Sequence, residues 1–124
     1  MPVLADDQEK GPEGFFEISN PINGESAEWR TKVTVKASKP FAEVWVVVRP
    51  LETRDFWVQP KTTLQANGEW ETMIYLGGKG TSHIGKVFDL RAIANPVDSL
   101  QEGLVFPGWP RADMKSDVIR VARR

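Results

Sequence analysis

The chain has 124 residues, 40% hydrophobic and 27% charged, with a formal net charge of −1. This is the length and composition of one folded domain, large enough to bury a core without staples and too apolar for bulk disorder. The absence of cysteine excludes a disulfide framework and a thiolate metal site.

Residues 1–14 read as an acidic flexible leader. Residues 1–28 carry seven acids against Lys10 alone, whereas the remainder carries fifteen bases against ten acids. The start has neither a basic run nor an apolar stretch of signal-peptide length, and nothing later approaches the roughly 18 apolar residues of a membrane span. A soluble chain is expected, with the cytoplasm favoured.

From Phe15 onward, short runs rich in valine, isoleucine and aromatics are bounded by turn residues. The first strand is expected over Phe15 to Ser19, followed by a turn at Asn20 to Gly24. In Lys32 to Ser38, Val33, Val35 and Ala37 alternate with Thr34 and Lys36, the pattern of a half-buried strand. Strands over Glu43 to Arg49 and Asp55 to Gln59 come next. Asn67-Gly68 then marks a hairpin, supplying positive φ angles for a tight turn. Past it, Trp70, Thr72, Ile74 and Leu76 share one face, and Glu69, Glu71, Met73 and Tyr75 the other. Lys86 to Asn95 is a strand rather than a helix because Asp89 and Arg91 alternate with Phe88, Leu90 and Ala92. The last strand lies in SDVIRVARR.

Before that last strand runs a segment of about twenty residues, too long for a plain connection. Its DSLQEG part reads as a helical turn with Asp98 as cap and Gly103 as terminator, and its FPGWP part as irregular. About seven strands so spaced imply an all-β, two-sheet antiparallel sandwich over residues 15–124, with a long loop before the last strand.

ISNPINGES, KVTVKAS, VWVVVRP with FWVQP, NGEWETMIYLG, GKVFDLRAIA and DVIRVAR together resemble a bacterial immunoglobulin-like or fibronectin III-like accessory module, from about Ile18 to Arg123. The resemblance implies an immunoglobulin-like sandwich acting as a non-enzymatic spacer or recognition unit beside other domains. A fold likeness supplies no site.

Motifs for chemistry fall short. GTSHIGKV has the glycine and lysine spacing of a phosphate loop but places Val87 where a magnesium-binding hydroxyl is needed, and a strand follows it instead of a helix. It reads as a glycine-rich connection. His83 is the only histidine and no GxSxG turn accompanies it, which argues against a serine triad and an ordinary zinc site. No calcium-loop pattern gathers the acids. Glu69 and Glu71, two apart on a polar strand face, read as solvated. The basic residues near the C-terminus sit in a chain of balanced charge, so nucleic acid is an improbable partner. The expectation is a non-enzyme with no cofactor and no metal.

What stands out is tryptophan. In Asp55 to Gln59, Trp57 alternates with Phe56 and Val58 and shares its face with Asp55 and Gln59, which marks it as exposed. In Glu43 to Arg49, Trp45 and Val47 share a face whose polar ends mark it outward, while the immunoglobulin resemblance implies a core tryptophan there. Both readings of Trp45 stay open. If the strands form a hairpin, Trp45, Val47 and Trp57 make an outer patch, and the long segment with Phe106 and Trp109 either joins that patch or folds over it. The partner-binding residues are expected to be Trp57, Gln59, Trp109, Phe106, Arg54 and Trp45. Two functions follow: recognition of a protein partner or attached domain, since aromatic residues and arginine are the usual anchors, or a carbohydrate-binding module stacking sugars on Trp57 and Trp109.

Overall fold

Wherever apolar and polar side chains alternate, the backbone is extended and the apolar set is drawn into a core between two sheets. The computed structural model describes residues 14–124, so the expected leader lies, apart from Gly14, outside the described residues. In chain order the strands are β1 (Phe16–Asn20), β2 (Ser26–Ala27), β3 (Arg30–Ala37), β4 (Val44–Pro50), β5 (Phe56–Val58), β6 (Thr63–Leu64), β7 (Trp70–Tyr75), β8 (Val87–Pro96), β9 (Val105–Phe106), β10 (Ala112–Lys115) and β11 (Ile119–Arg123). Four of them form one sheet in the order β1-β3-β7-β6. The other seven form a second sheet in the order β2-β11-β8-β4-β5-β9, with β10 also pairing β8. Pairing is antiparallel except between β2 and β11.

The core lies between the sheets. Val33, Val35 and Ile74 from the smaller sheet meet Val46, Phe88 and Leu90 from the larger one, all essentially without solvent exposure. The strand reading of Lys86 to Asn95 holds: β8 is the central strand, pairing β4 along Val44 to Pro50 on one side and β10 and β11 on the other. At its end Asn95 adopts a left-handed φ of 51°, a conformation asparagine tolerates better than most residues. Its Oδ1 accepts the Ala42 and Glu43 amides at 3.0 and 3.1 Å, which fastens the start of β4.

Three expectations need correction. Among the described residues the strands number eleven rather than seven; the additions β2, β9 and β10 are two to four residues long, too short to show a period, and β6 is the two-residue first arm of the predicted hairpin. At that hairpin only Gly68 has positive φ, +89°. The Gly68 amide donates to the Gln65 carbonyl and the Gln65 amide to the Glu69 carbonyl. This is a three-residue loop with glycine in the left-handed position, in place of a two-residue turn with two positive φ angles. Finally, DSLQEG is not a helical turn. The segment takes a single turn in which the Leu104 amide donates to the Gln101 carbonyl, and Gly103, with φ +91°, then carries the chain into β9. Pairing with β5 outcompetes one isolated helical turn, whose nucleation is unfavourable.

Candidate functional site

Residues directly opposite in an antiparallel pair place their side chains on the same face. Between β4 and β5 the partners are Val47 with Val58 and Val48 with Trp57. Trp45, Val47, Phe56 and Val58 therefore point away from the main core, and Trp57 points to the side of Val48, which belongs to that core. The expected patch of Trp45, Val47 and Trp57 does not exist. Asp55 and Gln59 do mark the face of Trp57, but that face continues the inner side of β4 out to a margin where Trp57 stays 43% exposed.

The outer face is covered. Trp45, Val47, Phe56, Val58 and Ile93 form a second core, against which the long segment lays Leu100, Phe106, Trp109 and Ala112. The Phe56 and Trp109 rings meet edge to face at 4.7 Å. Arg49 lies 5.5 Å from the Phe56 centroid and Arg91 5.7 Å from that of Trp109, so cations seal the rim. Trp45 is 5% exposed and donates its indole N–H to Glu43 Oε1 at 2.8 Å. Trp45 is thus a core residue, though of the satellite core rather than the inter-sheet one. Beside this cluster Asp89 is buried and receives Arg120 Nε at 2.8 Å and Arg49 Nη1 at 3.5 Å. The hydrogen bond that Arg120 donates to Asp89, and then the charge of Asp89, raise the Arg120 pKa above the ordinary arginine value. The carboxylate of Asp89 is thus paired internally by two arginines.

Trp57 instead lines a cleft of about 510 Å³ at the open flank between the sheets. Its floor is apolar, with Val48, Pro50, Pro60 and Phe88. Gln59, 6% exposed, braces it: Oε1 accepts the Tyr75 amide of β7 at 2.8 Å while Nε2 donates to the Trp57 carbonyl at 3.3 Å. One side chain thereby ties the tryptophan's strand to the opposite sheet.

The far wall is the glycine-rich connection after β7. Gly77 has φ +82°, and a Cβ there would stand 2.7 Å from the His83 ring, so only glycine allows that close approach. His83 Nδ1 accepts the Gly78 amide at 3.3 Å, with the Ser82 hydroxyl 3.4 Å away. From β11, Arg123, 5% exposed, donates Nη1 to the Leu76 and Gly78 carbonyls at 3.3 and 2.8 Å and Nη2 to the Gly80 carbonyl. Trp29 Nε1 adds a bond to the Gly77 carbonyl at 3.1 Å. The connection is therefore a pinned wall.

Opposite it, the turn before β9 brings Glu102. The Gly103 amide donates to the Val58 carbonyl and the Val58 amide to the Leu104 carbonyl, both at 2.9 Å, which fixes the turn beside Trp57. Asp55 enters from the start of β5, so two acids belong to the lining and no lysine or arginine does.

The residues expected to bind a partner are thus divided. Trp57 and Gln59 share the cleft, and Arg54 is exposed next to Asp55 without belonging to the lining. Phe106 and Trp109 line a separate, shallower depression with Asp98 and Arg111, and Trp45 is buried. His83, Glu102 and the glycines join the site from irregular segments that no period marks. The only local signals were the crowding of glycine around a single histidine and Gly103 in the long segment.

No protein-family model, curated protein or solved structure matches this chain. Among the described residues, no three His, Cys, Asp or Glu side chains are grouped to hold a metal ion, and no helix is long and apolar enough to cross a membrane.

Proposed function

We propose that this chain is a non-enzymatic interaction module that recognises a protein partner through the Trp57 cleft. The carrying observation is Trp57 itself, 43% exposed over an apolar cleft in a sheet that buries Trp45 to 5%. Aromatic residues at the mouth of a concave apolar site are the usual anchors of interfaces. A protein segment suits the cleft better than a sugar. Four apolar residues, Val48, Pro50, Pro60 and Phe88, make its floor, which suits an apolar stem. Among the polar residues of the lining, Gln59 is already engaged by the Tyr75 amide and the Trp57 carbonyl, and His83 Nδ1 by the Gly78 amide. The one histidine supports a role without chemistry, since His83 Nδ1 is engaged by the Gly78 amide and its ring is packed on Gly77.

The finer fold belongs to the same reading: an immunoglobulin-like sandwich. In its favour are the order β1-β3-β7-β6 against β11-β8-β4-β5 and the parallel pairing of β2 with β11. It is a variant, because the tryptophan of β4 faces the satellite core and the chain has no cysteine.

The test is display of the wild-type domain against a peptide library and a glycan array. Peptides should bind, and Trp57→Ala should lose roughly 2 kcal/mol or more of affinity, as a hot spot does. Leu64→Ser, at an exposed apolar residue outside the cleft, should bind like the parent. Binding only to glycans, or peptide binding indifferent to Trp57→Ala, would reject the proposal.

A further inference from the structure

Six ion pairs join the described residues, among them Lys86 with Glu52 and Lys32 with Glu71. Asp55 and Glu102 take part in none of them. Both belong to the lining of the Trp57 cleft, which among the described residues includes no lysine or arginine, so its lining carries negative formal charge. Elsewhere in the fold, aromatic rings near cations are matched from within: Arg49 with Phe56, Arg91 with Trp109, Lys61 with Trp45 and Lys79 with Trp29. Among the described residues, Trp57 has no such cation. An exposed indole and two carboxylates outside every ion pair of the described residues, above an apolar floor, are complementary to one kind of side chain: long, with an apolar stem and a flat cationic head.

We infer that the Trp57 cleft takes an arginine side chain presented by the partner protein, with the guanidinium met by Trp57, Asp55 and Glu102 and the methylene stem by the apolar floor. The inference rests on the cleft being the binding site and adds what enters it. Arginine fits better than lysine for two reasons. Its planar head stacks on an indole, and its fork can bond a carboxylate through two parallel N–H groups, whereas an ammonium is a compact and strongly hydrated charge. The cleft is largely pre-formed, because Gln59, Arg123 and the Val58 to Leu104 bonds fix its walls, so little ordering has to accompany entry.

The experiment uses three acetylated, amidated tripeptides, Leu-X-Leu with X as arginine, lysine or citrulline. Citrulline keeps the shape of arginine and removes its charge. Binding is read by NMR from the Trp57 indole N–H, assigned as the resonance missing in Trp57→Phe. The arginine peptide should shift that resonance, bind about tenfold tighter than the citrulline peptide as charge-assisted bonds require, and weaken as salt is raised. The lysine peptide should fall between them. In Asp55→Asn/Glu102→Gln the arginine and citrulline peptides should bind within about twofold of each other, with the parent's fold retained because both sites are exposed. If citrulline binds the parent as well as arginine, or the double variant keeps the preference, the cationic assignment fails while the cleft stands as the site. If no peptide from these or from the library moves Trp57, the cleft reading fails with it.

Discussion

Two tryptophans on neighbouring strands have opposite fates, and the pairing of Val48 with Trp57 decides them. Trp45 is enclosed by Phe56, Ile93 and Trp109's segment; Trp57 faces the other side and is left 43% exposed. Their replacements should therefore differ in kind. Trp45→Ala should lower unfolding free energy by about 3–5 kcal/mol, the cost of emptying an aromatic core site, and Trp57→Ala by about 1 kcal/mol or less. Chemical denaturation of both variants would show this, and a Trp57→Ala domain that unfolds would make Trp57 a core residue. Phe88, 1% exposed at the centre of the inter-sheet core, gives the scale: Phe88→Ala should cost about 3–5 kcal/mol. By contrast Lys36→Ala breaks only a surface pair with Glu69 and should cost below about 1 kcal/mol.

At the scale of elements, the walls of the cleft are irregular segments held by distant strands. Arg123 reaches from β11 to the carbonyls after β7, and Gln59 reaches from β5's end to β7. Arg123→Gln should deprive the buried Leu76 carbonyl and the part-buried Gly78 and Gly80 carbonyls of their donor, cost about 1–3 kcal/mol and weaken binding at Trp57 without touching it. Amide exchange should quicken over residues 77–80 in that variant; unchanged exchange there would show that the arginine does not hold the wall. Such dependence explains what was legible beforehand. β8 could be read because Asp89 and Arg91 alternate with Phe88 and Leu90, and the exposure of Trp57 because it shares its face with Asp55 and Gln59. The shared face with Trp45 could not be checked from one strand at a time, since it depends on register between two. The outer face also defeats the polar-end rule: the long segment buries Phe56 and Val58 there, so the more apolar side of β5 faces away from the main core. Glu102 and His83 sit in segments without a period, and only tertiary hydrogen bonds bring them to the cleft.

Over the whole molecule, two sheets of unequal width explain why a site exists. Seven strands pack against four, so the wider sheet has inner face to spare at its β5 margin, and the long segment returns across its outer face to seal the other side. The two cores are thereby closed on both sides of the wider sheet, and Trp57 is left 43% exposed at the flank it shares with Asp55 and Glu102. The five tryptophans, Trp29, Trp45, Trp57, Trp70 and Trp109, report on every part of this arrangement. The most direct test is therefore a titration with the tightest library peptide, following all five indole N–H resonances at once. The Trp57 resonance should move and saturate, with Trp45 and Trp109 stationary under their cover; movement of Trp109 or Trp45 with Trp57 unchanged would place the partner on the outer face and contradict the cleft.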